Sequence, residues 1–139
     1  MKQTFKKIIT GSFLFAFVFL FNSCKKDEGK LPNIAFKTGA TYTSANATIA
    51  KNTPFTVGII ASLAESGDIL KTFDASVAYD ASANSTSFFN ETLTGAQGNN
   101  YDKDLVLTTR SQSGSEKWTF TVTNRDGLVN SVSFVVTVP

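Results

Sequence analysis

The sequence predicts an all-β domain, built as one antiparallel sandwich of about seven short strands. Apolar and polar residues alternate with a period of two over most of the chain beyond residue 33, and no helical period is sustained. Turn-forming residues interrupt the alternation at intervals of roughly 8–15 residues, a spacing typical of sandwiches. Low charge and abundant serine, threonine and asparagine also suit an extracytoplasmic β protein.

Each strand is predicted from the apolar run that it contains. Gly58 interrupts one such run and predicts either a bulge or the close approach of another segment. The segment around Phe88 and Phe89 is the least regular, and Thr48–Ala50 either continues or repeats the first strand. The runs, in order, are Ile34–Phe36, Thr48–Ala50, Phe55–Ala61, Ile69–Tyr79, Asn84–Thr94, Leu105–Leu107, Trp118–Val122 and Val132–Val138.

The first 23 residues differ in character from the rest of the chain. Three lysines precede the apolar run Ile8–Phe21, and Ser23 then leads into Cys24, the only cysteine. A transmembrane helix needs about 20 apolar residues, so this run is short for one. Its length and its flanks are typical of a secretory signal peptide, and an uncleaved signal anchor is the alternative.

This segment resembles the signal peptide of bacterial lipoproteins, in the form seen in Bacteroidota. The resemblance implies that Cys24 becomes the first mature residue and carries covalent lipid, such as palmitate. Phe21 stands where the family usually has leucine. The run Lys26, Asp27 and Glu28 resembles the surface-export signal of the same group. The chain is therefore expected to be anchored to the outer membrane by lipid, at the cell surface.

The sequence thus divides into three parts: a signal peptide at 1–23, the acylated cysteine with a flexible tether at 24–33, and one domain at 34–139. Removing the signal removes three lysines, which leaves ten basic against eleven acidic residues and a formal charge of −1. No basic patch remains, so no nucleic-acid partner is expected.

The C-terminal hairpin carries a second resemblance. Trp118 follows a Gly114–Ser115 turn, and the run Thr119–Gly127 leads into an alternating last strand. This pattern resembles the last hairpin of immunoglobulin-like domains in bacterial surface proteins. It implies an immunoglobulin-like sandwich over 34–139, without the cysteine pair of antibody domains. Such folds host many functions, so the resemblance does not identify one.

Composition argues against most catalytic chemistry. The chain has no histidine, which excludes Ser-His-Asp catalysis and the common histidine zinc sites, and its one cysteine is assigned to lipid. The chain is therefore predicted not to be an enzyme. The remaining catalytic alternative is a glycoside hydrolase that uses Asp80, Asp102 or Asp104 as paired carboxylates.

No cofactor is expected apart from the lipid on Cys24, with calcium as the one alternative. Asp102 and Asp104 lie two residues apart, so an extended strand places both on one face and makes them candidate metal ligands. Lys103 between them argues against calcium, although its side chain points away from theirs in a strand.

Aromatic side chains are the candidates for a binding surface, while Trp118 is expected in the core. Phe88 and Phe89 are adjacent, so a regular strand turns them to opposite faces. The candidates are Tyr42, Tyr79, Phe88, Phe89 and Tyr101.

The leading hypothesis is a non-catalytic binding or adhesion module for a protein or a glycan. The loops Ala81–Ser87 and Gly95–Asp104 are its expected contact surface. The alternative is a periplasm-facing structural subunit of an outer-membrane envelope complex, in which a sandwich edge pairs with a partner strand. The domain is expected to be a monomer or a subunit of such a complex.

Overall fold

Eight strands and one short 3-10 helix make up residues 29–139, the part of the chain that the computed structural model describes. Cys24 and the run Lys26, Asp27 and Glu28 lie outside these residues. None of the helical structure in 29–139 has the length and apolar character that crossing a bilayer requires. The strands are β1 (Asn33–Phe36), β2 (Ala47–Thr48), β3 (Pro54–Ser62), β4 (Leu70–Tyr79), β5 (Thr86–Thr92), β6 (Asn100–Thr108), β7 (Gly114–Asn124) and β8 (Val129–Val138).

The strands form two sheets. One has the order β1-β3-β6, and the other has the order β2-β8-β7-β4-β5. The all-β prediction is confirmed, but the sheets are not purely antiparallel, because β2 pairs parallel with β8. Between Pro32, which accepts a hydrogen bond from Asn130, and Ala47, opposite Val136, the chain runs along β8 in one direction. The N-terminal segment therefore contributes a strand to each sheet without reversing its direction.

The hydrophobic core lies between the sheets and uses the alternate positions of both. Trp118 is 5% exposed, in agreement with its expected place in the core. Aromatic rings connect the layers: Phe36 of the first sheet lies 5.4 Å from Phe134 and 5.8 Å from Phe120 of the second, between ring centroids. Edge-to-face contacts of this kind add to the stabilisation that burial alone provides.

The strand that contains Leu105 and Leu107 is longer than predicted. It begins at Asn100 and pairs with β3 over nine residues, so the second half of the expected loop Gly95–Asp104 is strand. Only Gly95–Gly98 forms a separate 3-10 turn. The first half of this strand could not be recognised from the sequence, because polar residues occupy its solvent-facing positions while Tyr101 is buried.

β5 and β6 belong to different sheets, and a polar contact joins them along one side of the molecule. Glu91 accepts hydrogen bonds from the Tyr101 hydroxyl at 2.8 Å, from Gln97 Nε2 at 2.9 Å and from Lys103 Nζ at 3.2 Å. The Tyr101 hydrogen bond is the main cause that lowers the pKa of Glu91, with Gln97 next. Burial and the Glu91 carboxylate together raise the pKa of Tyr101. The charged form of Glu91 therefore stabilises the contact between β5 and β6.

We predict that Glu91→Gln lowers the free energy of unfolding at pH 7 by about 1–2 kcal/mol, since three donors lose a charged acceptor. A lowered folded-state pKa means that the carboxylate stabilises the fold above the ordinary glutamate range. This contribution is lost as pH falls through the lowered pKa. Urea unfolding at pH 7 and pH 3 measures both effects. The wild type should lose more stability than Glu91→Gln between these pH values, and Glu65→Gln should behave like the wild type. An equal loss in Glu91→Gln and wild type would contradict the role of Glu91.

Candidate functional site

The outer face of the β1-β3-β6 sheet, turned away from the second sheet, carries a compact group of charged side chains. We call Lys37, Tyr42, Asp102 and Asp104 the lysine–carboxylate cluster. Gly58 makes room for it, because a Cβ at this position would lie 2.6 Å from Lys37 Cδ and 2.8 Å from Tyr42 Cε1. Of the two alternatives predicted for Gly58, the close approach is correct, and the pairing of β3 with β6 continues through it without a bulge.

Lys37 neutralises both carboxylates of this cluster. Its ammonium donates to Asp104 Oδ1 at 2.8 Å and also to Asp102, while the Tyr42 hydroxyl donates to Asp104 Oδ2 at 3.0 Å. The hydrogen bond to Asp102, followed by that to Asp104, raises the pKa of Lys37. The Lys37 hydrogen bond lowers the pKa of Asp104, and the Asp104 carboxylate raises the pKa of Tyr42. The cluster therefore holds a protonated lysine and a charged Asp104 at neutral pH.

The calcium hypothesis rested on Asp102 and Asp104, which share one face as predicted, with Lys103 directed to the opposite side toward Glu91. An ammonium already bridges the two acids. Within residues 29–139, no three acidic, histidine or cysteine side chains come together as metal ligands. Calcium requires six to eight oxygen ligands, of which this face supplies two carboxylates.

A groove of about 520 Å³ lies beside the cluster and shares Asp102 with it. Ile60, 45% exposed, and Ala35 supply apolar surface on the outer face. Asparagine amides form a polar rim, of which Asn33 donates to the Leu63 carbonyl at 3.1 Å. An apolar floor with a few fixed polar groups is the usual composition of a ligand site, and its volume lies in the usual range. The lining residues are Asn33, Ile34, Ala35, Ile60, Ala61, Ser62, Asn100, Tyr101, Asp102 and Asn130.

Asp80 lies in a different part of the molecule from Asp102 and Asp104. It follows β4 and forms a two-pronged ion pair with Arg110, which comes after the end of β6, whereas Asp102 lies near the start of that strand. The Arg110 hydrogen bond, assisted by the Ser115 backbone N–H, lowers the pKa of Asp80. The three acids of the hydrolase alternative therefore do not form one site, and each of them is paired with a lysine or an arginine side chain.

The predicted binding aromatics do not form one platform. Tyr79 is 40% exposed and lies under the Arg110 guanidinium, whose carbon is 5.2 Å from the ring centroid. Tyr101 is 2% exposed, so the expectation of an exposed ring is wrong there; its position in β6 faces the core and its hydroxyl binds Glu91. Tyr42 belongs to the lysine–carboxylate cluster.

Phe88 and Phe89 do not face opposite ways as a regular strand would require. A bulge in β5 leaves Phe88 outside the pairing, since Phe89 lies opposite Ala75 and Ser87 lies opposite Ser76. Both rings consequently turn toward the core side. Phe89 lies 6.1 Å from Phe73, and Phe88, 42% exposed, lies 5.3 Å from Trp118.

The two loops predicted as a contact surface are also separated. Ala81–Ser87 precedes and enters β5, whereas Gly95–Gly98 follows it. They lie at opposite ends of a seven-residue strand, about 20 Å apart at 3.3 Å per residue. These loops therefore do not form one binding surface.

Glu116 is a buried acid that the sequence reasoning missed. It is fully buried and accepts the Arg110 backbone N–H at 2.8 Å and the Trp118 indole N–H at 3.2 Å. The signal was available, because Glu116 shares the inward register of Trp118, Phe120 and Val122 in one alternating strand. Its fixed partners and complete burial give it a structural role between the sheets.

A comparison with protein-family models gives no match, and a comparison with curated proteins gives none either. Among solved structures, the fold is similar to a superoxide reductase (neelaredoxin) from Ignicoccus hospitalis. The TM-score is 0.52 at 10% identity, over 79% of this chain and 81% of that one. A single-substitution variant of the same protein gives 0.52 at 11% identity, over 84% and 86%. Likeness at this identity supports the two-sheet all-β fold and carries no activity across.

We predict that Glu116→Ala lowers the free energy of unfolding by about 3 kcal/mol or more, since two buried donors lose their acceptor and a cavity forms. Chemical denaturation followed by Trp118 fluorescence measures the loss. Glu116→Gln is the matched variant, because it keeps the shape and one carbonyl acceptor and should lose less. Equal losses in the two variants would show that the carboxylate contacts do not determine stability here.

Proposed function

We propose that the chain is a non-catalytic binding lipoprotein, anchored to the outer membrane through lipid on Cys24, with an immunoglobulin-like domain at the cell surface. The groove beside the lysine–carboxylate cluster, lined by β1, β3, the start of β6 and Asn130 of β8, is its contact site for a protein or a glycan. The observation that carries this proposal is the groove itself, where exposed apolar surface at Ile60 adjoins fixed amides and a carboxylate. This combination binds ligands without requiring a reactive group.

The strand order supports the immunoglobulin-like assignment. Antibody-type domains place strands A, B, E and D in one sheet and G, F and C in the other, with C′ added in variable-type domains. Here β1-β3-β6 follows the order A-B-E, and β8-β7-β4-β5 follows the order G-F-C-C′. No strand in residues 29–139 occupies the position of D, so β6 forms the edge of its sheet.

The charge pairs support a binding role over a hydrolytic one. A retaining or inverting glycosidase needs two carboxyl groups about 5–10 Å apart that differ in protonation. Asp102 and Asp104 instead share one lysine, and Asp80 is bound to Arg110 elsewhere. In the proposed role these acids are polar contacts and structural partners.

The open edge of β6 favours one second candidate, a structural subunit of an envelope complex that faces the periplasm. An unpaired edge offers backbone N–H and C=O groups to a partner strand. The two candidates differ in which side of the outer membrane the domain occupies.

We predict that protease added to intact cells of the native host removes the domain, while a periplasmic marker protein stays intact. Immunoblotting of the full-length chain measures the loss. Protection of the domain would instead favour the periplasmic subunit.

We predict that Cys24→Ala abolishes labelling by a palmitate analogue and removes the chain from the outer-membrane fraction, because lipid on Cys24 is the proposed outer-membrane anchor. Ser44→Ala should leave both unchanged, and retention of Cys24→Ala in the outer-membrane fraction would contradict lipid anchoring.

We predict that Ile60→Asp weakens ligand binding at least about tenfold, because it places a charge beside Asp102 in the apolar floor of the groove. Affinity electrophoresis against a panel of soluble polysaccharides, together with a peptide array, provides the measurement. Val129→Asp is the matched control, since Val129 is 51% exposed on β8. Equal binding by Ile60→Asp and the control would remove the groove as the contact site.

A further inference from the structure

The two sheets expose four strand edges within residues 29–139, and three of them are protected against pairing. β1 has four residues and directly follows Pro32, β2 has two residues, and β5 contains the Phe88 bulge. Short strands, proline and bulges are the devices by which proteins prevent edge-to-edge association. β6 has none of these, since it pairs with β3 over nine residues without interruption and contains no proline.

The charged side chains of β6 do not protect the second half of the strand against pairing with another strand. Lys103 turns inward, where its Nζ contacts Glu91 and lies 4.8 Å from the Phe89 ring centroid, and Asp102 is bound by Lys37. From Asp104 to Thr108 the strand presents a largely apolar segment. Val106 is 74% exposed at its centre, the most exposed large apolar residue in the described part of the chain.

An exposed aromatic ring lies beside this segment. Phe88 and Phe55 both contact Trp118, with ring centroids 5.3 Å and 5.7 Å away, and Phe55 lies opposite Leu107 in the β3–β6 pairing. Phe88 is therefore at the level of Leu107, beside the part of the β6 edge that lies beyond the Glu91 contacts. A strand added to β6 here would cover part of the Phe88 ring.

We propose that this edge pairs with the same edge of a second copy of the chain, antiparallel about a twofold axis at Val106. The resulting six-stranded sheet has the order β1-β3-β6-β6-β3-β1. A twofold contact uses the same surface on both copies, so the segment has to be complementary to itself. The sequence Asp104–Thr108 satisfies this requirement in one register.

Charge and polarity select that register. Centred on Val106, the pairing sets Val106 opposite Val106, Leu105 opposite Leu107, and Asp104 opposite Thr108. Apolar residues then meet apolar ones, and no like charges face each other across Asp104–Thr108. A register centred on Asp104 would oppose two carboxylates, which is destabilising. The pairing is independent of the groove, because Ile60 lies opposite Asp102 near the other end of β6.

A photoreactive phenylalanine analogue in place of Val106 tests the contact in intact cells with the full-length chain. We expect irradiation to give an adduct of twice the mass of the protein, and the same analogue at Val129 to give none. Absence of an adduct at position 106 would overturn the proposal. An adduct formed only with a different protein would also overturn it, since the edge would then serve another partner.

Val106→Lys provides the second test, because lysine on an edge strand opposes a like charge across the axis. Sedimentation velocity of the full-length chain in mild detergent should show self-association at least about tenfold weaker than in the wild type. Val129→Lys should associate like the wild type, and circular dichroism checks that both variants are folded. Undiminished association of folded Val106→Lys would refute the pairing, whereas failure of the Ile60→Asp experiment would concern the groove alone.

Discussion

The Phe120 ring lies between the two sheets and contacts rings from three other strands. Its centroid is 5.8 Å from Phe36 of β1, 6.5 Å from Phe73 of β4 and 6.2 Å from Phe134 of β8. Phe36 is the ring in this group that comes from the three-stranded sheet, so these contacts join the layers directly. Burial of one large aromatic side chain contributes about 1.5–3 kcal/mol. The domain at 34–139 contains no cysteine, so noncovalent packing of this kind must hold the sheets together.

Polar contacts provide further connections between the two sheets, in addition to the aromatic rings. On one side of the molecule the N-terminal segment contributes a strand to each sheet, and this continuity joins the layers. On the other side residues 93–99 link β5 to β6, and Glu91 reinforces this connection by accepting hydrogen bonds from three donors. Glu116 does the same inside one end of the core by joining the Arg110 backbone to Trp118. Both acids are therefore part of the packing.

Much of the fold could be predicted from the sequence because the alternation of apolar residues reports directly on burial. Trp118 and Phe120 alternate with polar residues in β7, and their place in the core follows from that period alone. The start of β6 could not be predicted in this way. Asn100–Asp104 is rich in polar residues, and its strand conformation depends on pairing with β3, a contact remote in sequence.

The contacts of the candidate site could be predicted from the sequence to an even smaller extent than the fold. Asp102 and Asp104 were predicted to share a face because that follows from strand geometry. Lys37 could not be assigned to them, since it lies 65 residues from Asp102 and only the β1-β3-β6 order brings it across Gly58. The bulge at Phe88 is also decided by tertiary packing, because it lets two adjacent rings reach Trp118 and Phe73. The apolar period predicts which face of a strand each residue occupies. Contacts between strands that are distant in sequence can be assigned only when the strand order is known.

The position of β6 at the edge of its sheet accounts for both proposed contact surfaces. No strand in residues 29–139 pairs with its outer side, so this edge is open and the face that carries Ile60 and Asp102 remains uncovered there. Asp102 lies four residues from Val106, about 13 Å along the strand. A dimer centred on Val106 would therefore hold two grooves roughly 26 Å apart on one continuous sheet. Two linked sites bind a repetitive ligand more tightly than either site alone, since the second binding event is intramolecular. In the proposed binding role, the edge contact would thus strengthen capture of a polymeric glycan or a repeated protein surface without any change in the groove.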